Sequence, residues 1–139
     1  MSDNKVLYTA KSHTMGGRDG GAGRTSDGRV DVKFSVPGGS GTGTNPEQLF
    51  ALGWSACYIG AMRHVMGQKK IRFPEGAAVD AEIDLRLGDS GFSIAARLNV
   101  SLPGLAPDVA KEVTEIAHTV CPYSKATHGN IDVVTNVTT

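Results

Sequence analysis

The chain has 139 residues, and its 14 Lys and Arg balance 14 Asp and Glu, so the formal net charge at pH 7 is zero. A chain of this length is expected to form a single domain, residues 1–139, with a core that needs no disulfide or metal. No cluster of basic residues supplies the positive face that nucleic-acid binding requires. We therefore expect no nucleic-acid partner.

The apolar content does not indicate a membrane protein. The longest apolar stretch, Leu49 to Met62, is shorter than the about 20 residues that a membrane-spanning helix needs. The first residues, Met1 to Lys5, contain no apolar signal core. These features predict a cytoplasmic protein without a membrane partner.

The N-terminal part predicts glycine-rich loops, a strand and a long helix. Glycine clusters in residues 15–23 and 37–43 indicate two segments in which the backbone turns sharply or approaches another group closely. Apolar residues alternate from Val30 to Val36, which predicts a strand that ends at Pro37. Asn45 and Pro46 predict the start of a helix that reaches about Met66 and is apolar nearly all round, as in a helix enclosed on most sides.

The C-terminal part predicts a hairpin, a helix and a last strand. Residues 79–87 and 92–102 alternate around a Gly-Asp-Ser-Gly turn, residues 107–120 carry an apolar stripe, and residues 131–137 are extended. Cys121-Pro122 is expected to interrupt the helix. This order predicts an α+β protein with antiparallel sheets. Because so short a chain has little material to enclose the first helix, we also infer a homodimer.

Two cysteines are the first candidates for chemistry. Cys57 and Cys121 are 64 positions apart, so no local CxxC motif exists, but both are expected to point inward from helices that could bring them together. Either each is a buried small hydrophobe, or they form a reactive pair. A reactive thiol needs a nearby cation, for which Arg18 in the glycine loop is the best candidate unless it is a solvated loop residue. Glu47 could hold an arginine bidentately or only interact with the helix dipole.

Two motifs make the sequence similar to a known family. Residues 44–58, TNPEQLFALGWSACY, and residues 120–130, VCPYSKATHGN, closely resemble the two cysteine motifs of the organic hydroperoxide resistance (Ohr) proteins. These proteins share a superfamily with osmotically inducible protein C (OsmC). The resemblance extends over essentially the whole chain and includes the Gly-Gly-Arg-Asp-Gly loop. The form of the second motif favours the Ohr branch over an OsmC-type peroxidase with a broader substrate range.

The resemblance implies an OsmC/Ohr-like fold in an intertwined homodimer and a thiol-dependent peroxidase. Cys57 then matches the peroxidatic cysteine and Cys121 the resolving one, while Arg18 and Glu47 match the residues that polarise and position the site. No bound cofactor or metal is implied. The implied reductant is an external dithiol, dihydrolipoamide, carried on a lipoylated protein.

The resemblance also implies a substrate preference, and the sequence departs from the family pattern at two positions. Apolar side chains at Leu49, Phe50, Met62 and Met15 would favour alkyl or fatty-acyl hydroperoxides over hydrogen peroxide. Lys125 and His128 stand where the branch more often has asparagine and arginine, which affects only surface contacts after Cys121.

Three other functions are compatible with parts of the sequence. His118 and Cys121 are three positions apart and could bind a metal together with His64, Cys57 or His128. The segment Gly39 to Gly43 resembles a phosphate-binding loop but lacks the Gly-Lys-Ser/Thr that would follow. A dimeric binding module without catalysis would tolerate replacement of both thiols. We interpret Trp54 and the methionines as core residues, and His13, His64 and His128 as surface residues.

Overall fold

The secondary structure is that of an α+β protein, as predicted. The computed structural model describes residues 4–139, whose helices and strands are β1 Ser12–Met15, β2 Ala22–Thr25, β3 Asp31–Lys33, α1 Pro46–Gln68, β4 Ala78–Gly88, β5 Gly91–Ser101, α2 Pro107–Val120, α3 Pro122–Thr127 and β6 Asp132–Thr138. Contacts group the chain into two compact units, of which the first ends at Pro46 and the second begins at Glu47. The single domain of residues 1–139 stays a prediction.

The N-terminal unit contains a three-stranded antiparallel sheet in the order β1-β2-β3. The first glycine cluster forms the turn between β1 and β2, where Gly16, Gly17 and Gly20 have positive φ angles. Gly21 approaches the backbone so closely that a Cβ atom there would overlap the carbonyl oxygens of Met15 and Gly17. The prediction that this cluster turns sharply and packs closely is therefore confirmed. Strands β1 and β2 were not predicted, because they are short and lack apolar alternation.

The strand predicted over residues 30–36 is shorter than expected. Regular pairing is limited to β3, and Phe34 forms only an isolated bridge with Thr44. Val32 and Phe34 are half-buried, whereas Val30 and Val36 are exposed. The alternation of apolar residues therefore extends over residues 30–36, but only Asp31–Lys33 pair with a neighbouring strand, β2.

Helix α1 begins at Pro46, as predicted, but only one side of it is enclosed within the chain. Its buried residues contribute to the core of the C-terminal unit: Trp54, Tyr58, Ala61, Met62, Val65 and Met66. Leu52 is 70% exposed, and Ala56 and Gly60 on the same face are also exposed. This one-sided burial agrees with the expectation that so short a chain cannot enclose α1 by itself, and the second copy inferred to cover the exposed face stays a prediction. Within residues 4–139, no helix combines the length and apolar character needed to cross a membrane.

The C-terminal unit contains a mixed sheet in the order β4-β5-β6. The predicted hairpin is confirmed, since β4 and β5 pair antiparallel through their whole length. The expectation of purely antiparallel sheets is wrong, because β6 pairs parallel with β5. Helices α2 and α3 make the connection between β5 and β6, and a connection of this kind lets the chain return in the same direction.

The predicted interruption at Cys121 is confirmed and produces an additional helix. Cys121 has extended backbone angles, φ −63° and ψ 120°, which place it between α2 and α3. Its N–H still donates to Ala117 O at 2.8 Å. Pro122 then occupies the first position of α3, where its missing N–H costs no hydrogen bond. The interruption therefore redirects the chain without ending helical structure, which the sequence analysis missed.

Candidate active site

The two cysteines meet in the C-terminal unit, as the sequence analysis expected. The thiol of Cys121 donates to Cys57 Sγ at a sulfur-to-sulfur distance of 3.4 Å. Both thiols are free. Cys121 has no exposed surface, whereas Cys57 is only partly buried. Cys57 is therefore the more accessible of the two thiols to a solute.

The surroundings of Cys57 act on its thiol in opposite directions. Burial raises the pKa of Cys57, and the neighbouring Cys121 raises it further. The backbone N–H of Tyr123 donates to the Cys57 sulfur and lowers the pKa, but the balance of these effects is a pKa above the ordinary value. Only the thiolate is an effective nucleophile. A reactive Cys57 therefore requires a positive charge that stabilises its ionised form.

Aromatic side chains form an apolar wall next to the cysteine pair. The rings of Phe50 and Tyr123 are stacked with centroids 6.0 Å apart, and Trp54 lies 5.3 Å from Phe50. A Cβ atom added to Gly53 would lie 3.4 Å from the Tyr123 hydroxyl, which shows that this tyrosine crosses α1 one turn before Cys57. The predicted contribution of Phe50 agrees with this arrangement. Tyr123 was not identified as a lining residue, although the second cysteine motif contains it.

Two of the other predicted lining residues have different positions. Met62 is fully buried in the core and cannot contact a solute. Met15 belongs to the N-terminal unit, where it is 68% exposed. Leu49 is half-buried on α1.

A polar network around His118 is a feature that the sequence analysis did not predict. His118 Nδ1 lies 2.8 Å from Ser124 Oγ, and His118 Nε2 lies 2.8 Å from Thr135 Oγ1. Trp54 Nε1 donates to the same Ser124 oxygen at 3.1 Å. The ring of Tyr58 packs against the imidazole with centroids 4.6 Å apart. The signal available in the sequence was that His118 and Ser124 each lie three positions from Cys121.

One arrangement of protons satisfies this network completely. If His118 is neutral with its proton on Nε2, it donates to Thr135, and its Nδ1 accepts from the Ser124 hydroxyl. The Ser124 oxygen is then free to accept from Trp54. Burial lowers the pKa of His118, and the nearby His128 lowers it further. The surroundings therefore favour the neutral imidazole that the network needs.

The network borders a cleft of about 290 Å³. Besides the network residues, its walls contain Glu115, Thr127, His128 and Val133. Both ring nitrogens of His118 are already hydrogen-bonded, so this histidine is not available as a metal ligand. Within residues 4–139, no group of three or more His, Cys, Asp or Glu side chains is arranged to hold a metal ion.

Comparison with known proteins agrees with this geometry. The chain matches the family described as OsmC-like protein over residues 39–136. It is 45% identical over 136 residues to an organic hydroperoxide resistance protein of Xanthomonas axonopodis pv. citri, covering 95% of each chain. It is 40% identical over 137 residues to the organic hydroperoxide resistance protein OhrB of Bacillus subtilis, covering 92% of this chain and 96% of that protein.

The chain belongs to the OsmC-like family, in its organic hydroperoxide resistance (Ohr) branch.

Solved structures show that the fold is the Ohr fold. The crystal structure of Bacillus subtilis OhrB has a TM-score of 0.90 at 38% identity and covers 96% of this chain and 100% of its own. A Vibrio cholerae structure, described as a putative organic hydroperoxide resistance protein with captopril in one of its active sites, has a TM-score of 0.89 at 36% identity, with coverages of 98% and 95%. The predicted OsmC/Ohr-like fold is confirmed.

The remaining predicted residues of this Ohr-family chain lie in different elements. Arg18 is in the turn between β1 and β2, and Glu47 is in the first turn of α1. Their catalytic roles stay predictions. Lys125 and His128, the two departures from the Ohr pattern, are exposed. His13 and His64 are exposed as well, as the sequence predicted.

The half-buried His118 gives the protein a pH-dependent stability. Because its pKa is lowered in the folded state, the unfolded chain binds the proton more tightly. The free energy of unfolding is therefore highest above the ordinary histidine pKa of 6.5 and falls as the pH decreases below it. Urea unfolding at a series of pH values should show this decline, and the part due to His118 should be absent in His118→Asn.

The control for this measurement is His64→Asn, which removes an exposed histidine that does not contribute to the lowered pKa of His118. Glu115 faces the same cleft as His118 and remains in all variants. An identical decline in wild type and His118→Asn would contradict the assignment.

Proposed function

We propose that this protein is a thiol-dependent peroxidase that reduces organic hydroperoxides to alcohols. The observation that carries the proposal is the 3.4 Å contact between a partly exposed Cys57 and a fully buried Cys121. A pair with this difference in access suits a two-step reaction, in which the accessible sulfur is oxidised first and the buried one reacts with it. The names of its relatives support organic hydroperoxides as the substrate class.

The proposed cycle uses both sulfurs. The Cys57 thiolate attacks the outer oxygen of the hydroperoxide, the O–O bond breaks, and the protonated alkoxide leaves as an alcohol. Cys57 is now a sulfenic acid. The Cys121 thiol attacks that sulfur and releases water, which leaves a Cys57–Cys121 disulfide. An external dithiol then reduces the disulfide and is itself oxidised to a disulfide. We propose dihydrolipoamide on a lipoylated protein, which the Ohr resemblance implies.

Arg18 and Glu47 enter the proposal as the residues that make Cys57 reactive. Burial raises the pKa of Cys57, so the thiolate needs a cation, and Arg18 matches the family's active-site arginine. The guanidinium would also stabilise the negative charge that develops on the departing oxygen. Glu47 would orient Arg18 through a bidentate interaction.

A homodimer in the cytoplasm is part of the same proposal. Besides the exposed face of α1, the tip of the β4–β5 hairpin exposes Leu87 and Phe92, which are 73% and 75% accessible. Apolar surfaces of this kind are typical of sites that a partner covers. A reducing compartment would make any Cys57–Cys121 disulfide a catalytic one rather than a structural one.

Replacing each cysteine should separate the two steps. With tert-butyl hydroperoxide, the reduced wild type should lose two thiols per chain, whereas Cys57→Ser should lose none faster than free cysteine does. Cys121→Ser should lose one thiol and accumulate sulfenic and then sulfinic acid, because no second thiol is in reach. Rapid mixing with thiol counting and mass spectrometry measures these products. A wild type no faster than free cysteine would limit the Ohr relationship to the fold.

Removing the proposed cation should slow the first step. Arg18→Met is expected to lower the second-order rate constant for Cys57 oxidation by about 10² to 10³-fold, the usual effect of losing one charge-stabilising donor. Glu47→Gln should have a smaller effect in the same direction. The control is Arg24→Met, which removes a neighbouring arginine on β2. Equal rates for Arg18→Met and Arg24→Met would exclude the proposed role.

The apolar wall predicts a preference among hydroperoxides. The rings of Phe50 and Tyr123 can pack against an organic group, and hydrogen peroxide has no apolar part to make this contact. The rate constant for cumene hydroperoxide should therefore exceed that for hydrogen peroxide by about tenfold or more. Tyr123→Ser should reduce this ratio mainly by slowing the reaction with cumene hydroperoxide. Comparable rates for both oxidants in the wild type would contradict the preference.

A further inference from the structure

The His118 network connects the segments on both sides of the cysteine pair. Trp54 lies three positions before Cys57 on α1, and Tyr58 directly follows it. On the other side, His118 lies in the last turn of α2, before Cys121, and Ser124 lies in α3, after it. The contacts of His118 and Ser124 with Trp54 and Tyr58 therefore join α1 to the segment that carries Cys121.

A single extended residue, Cys121, sets the direction of α3 relative to α2. Its N–H donates to Ala117 O, and its carbonyl accepts from the N–H of Lys125. Helix α3 has six residues, and a helix of that length is not stable by itself. Its position therefore depends on side-chain contacts.

The buried Ser124 and the half-buried His118 supply such contacts. Ser124 is 4% exposed, and its single oxygen interacts with both Trp54 and His118. Through Thr135 the network also reaches β6. A fully satisfied polar network in a buried site fixes one geometry, because each broken hydrogen bond leaves an unsatisfied polar group.

We propose that His118 and Ser124 are positioning residues that hold the Cys121 thiol against Cys57 and so set how fast the sulfenic acid is resolved. This inference rests on the proposed peroxidase function and assigns to the reaction two residues beyond the four of the predicted site. Neither residue touches the reacting atoms. They act through the position of Cys121.

The consequence is a competition between two reactions of the Cys57 sulfenic acid. Attack by the Cys121 thiol forms the disulfide and releases water. Reaction with a second hydroperoxide oxidises the same sulfur to the sulfinic acid and releases another alcohol. The first reaction is intramolecular, so its rate depends on how well Cys121 is held in place. A displaced Cys121 therefore increases over-oxidation at the same hydroperoxide concentration.

Four variants test this role. His118→Leu removes both hydrogen bonds of the ring, and Ser124→Ala removes the atom shared by His118 and Trp54. His118→Asn retains an oxygen near the position of Nδ1 that can accept from Ser124, so it should restore part of the function. His128→Asn alters the same cleft at an exposed position and serves as the matched control.

The first measurement is the ratio of disulfide to sulfinic acid at increasing tert-butyl hydroperoxide, determined by mass spectrometry. The hydroperoxide concentration that over-oxidises half of the chains should fall about tenfold in His118→Leu and Ser124→Ala, the effect expected from one lost buried hydrogen bond. His118→Asn should lie between these variants and the wild type, and His128→Asn should equal the wild type. A general loss of stability would lower the amount of folded protein without changing this ratio in the folded fraction.

The second measurement does not require peroxidase activity. The protein is equilibrated with reduced and oxidised glutathione. Oxidised glutathione converts the two protein thiols to a disulfide and is itself reduced to two glutathione thiols, so the equilibrium gives the effective concentration of one cysteine at the other. This effective concentration should fall about tenfold in His118→Leu and Ser124→Ala and stay unchanged in His128→Asn. If both measurements leave these two variants within twofold of the wild type, the inference is wrong. A wild type that forms the disulfide with glutathione but does not react with hydroperoxide would instead refute the proposed function alone.

Discussion

The approach of Cys57 and Cys121 is the constraint on which the rest of this structure depends. The two sulfurs are 64 residues apart in the chain and 3.4 Å apart in space. For this contact, α1 carries Cys57, and the helical backbone is interrupted between α2 and α3 at Cys121. Pro122 provides that interruption, because it disfavours helical geometry at Cys121. Helix α3 then starts at the proline and brings the N–H of Tyr123 to the Cys57 sulfur.

The burial that brings the thiols together also opposes the ionisation of Cys57. A low-dielectric environment excludes competing reactions from Cys121, but it raises the pKa of Cys57 and makes the thiolate harder to form. The backbone N–H of Tyr123 offsets part of this increase in pKa. The guanidinium proposed for this role, that of Arg18, would lower the pKa further because it carries a full positive charge. Burial likewise lowers the pKa of His118 and favours its neutral form.

Apolar surface that the chain leaves uncovered is a second property with a functional meaning. Leu52 on α1 and the tip of the β4–β5 hairpin expose apolar side chains, and at the hairpin these positions continue the pattern of the core. Leu87 and Phe92 are direct cross-strand partners on the core side of the hairpin. Water contact with this much apolar surface is unfavourable, and a second copy of the chain would remove it. The proposed homodimer would provide burial for these side chains.

The sequence by itself determined the elements that depend on local chemistry. Hydrophobic alternation specified the β4–β5 hairpin, Pro46 specified the start of α1, and Pro122 specified the interruption at Cys121, since each effect arises within a few residues. The two cysteine motifs identified the family. Only the tertiary structure decided the parallel pairing of β6, the one-sided burial of α1 and the position of Met62 away from solvent. It alone revealed the His118 network, because hydrogen bonds among Trp54, His118, Ser124 and Thr135 join residues from four elements. Such contacts depend on how distant elements pack, and no local periodicity records that packing.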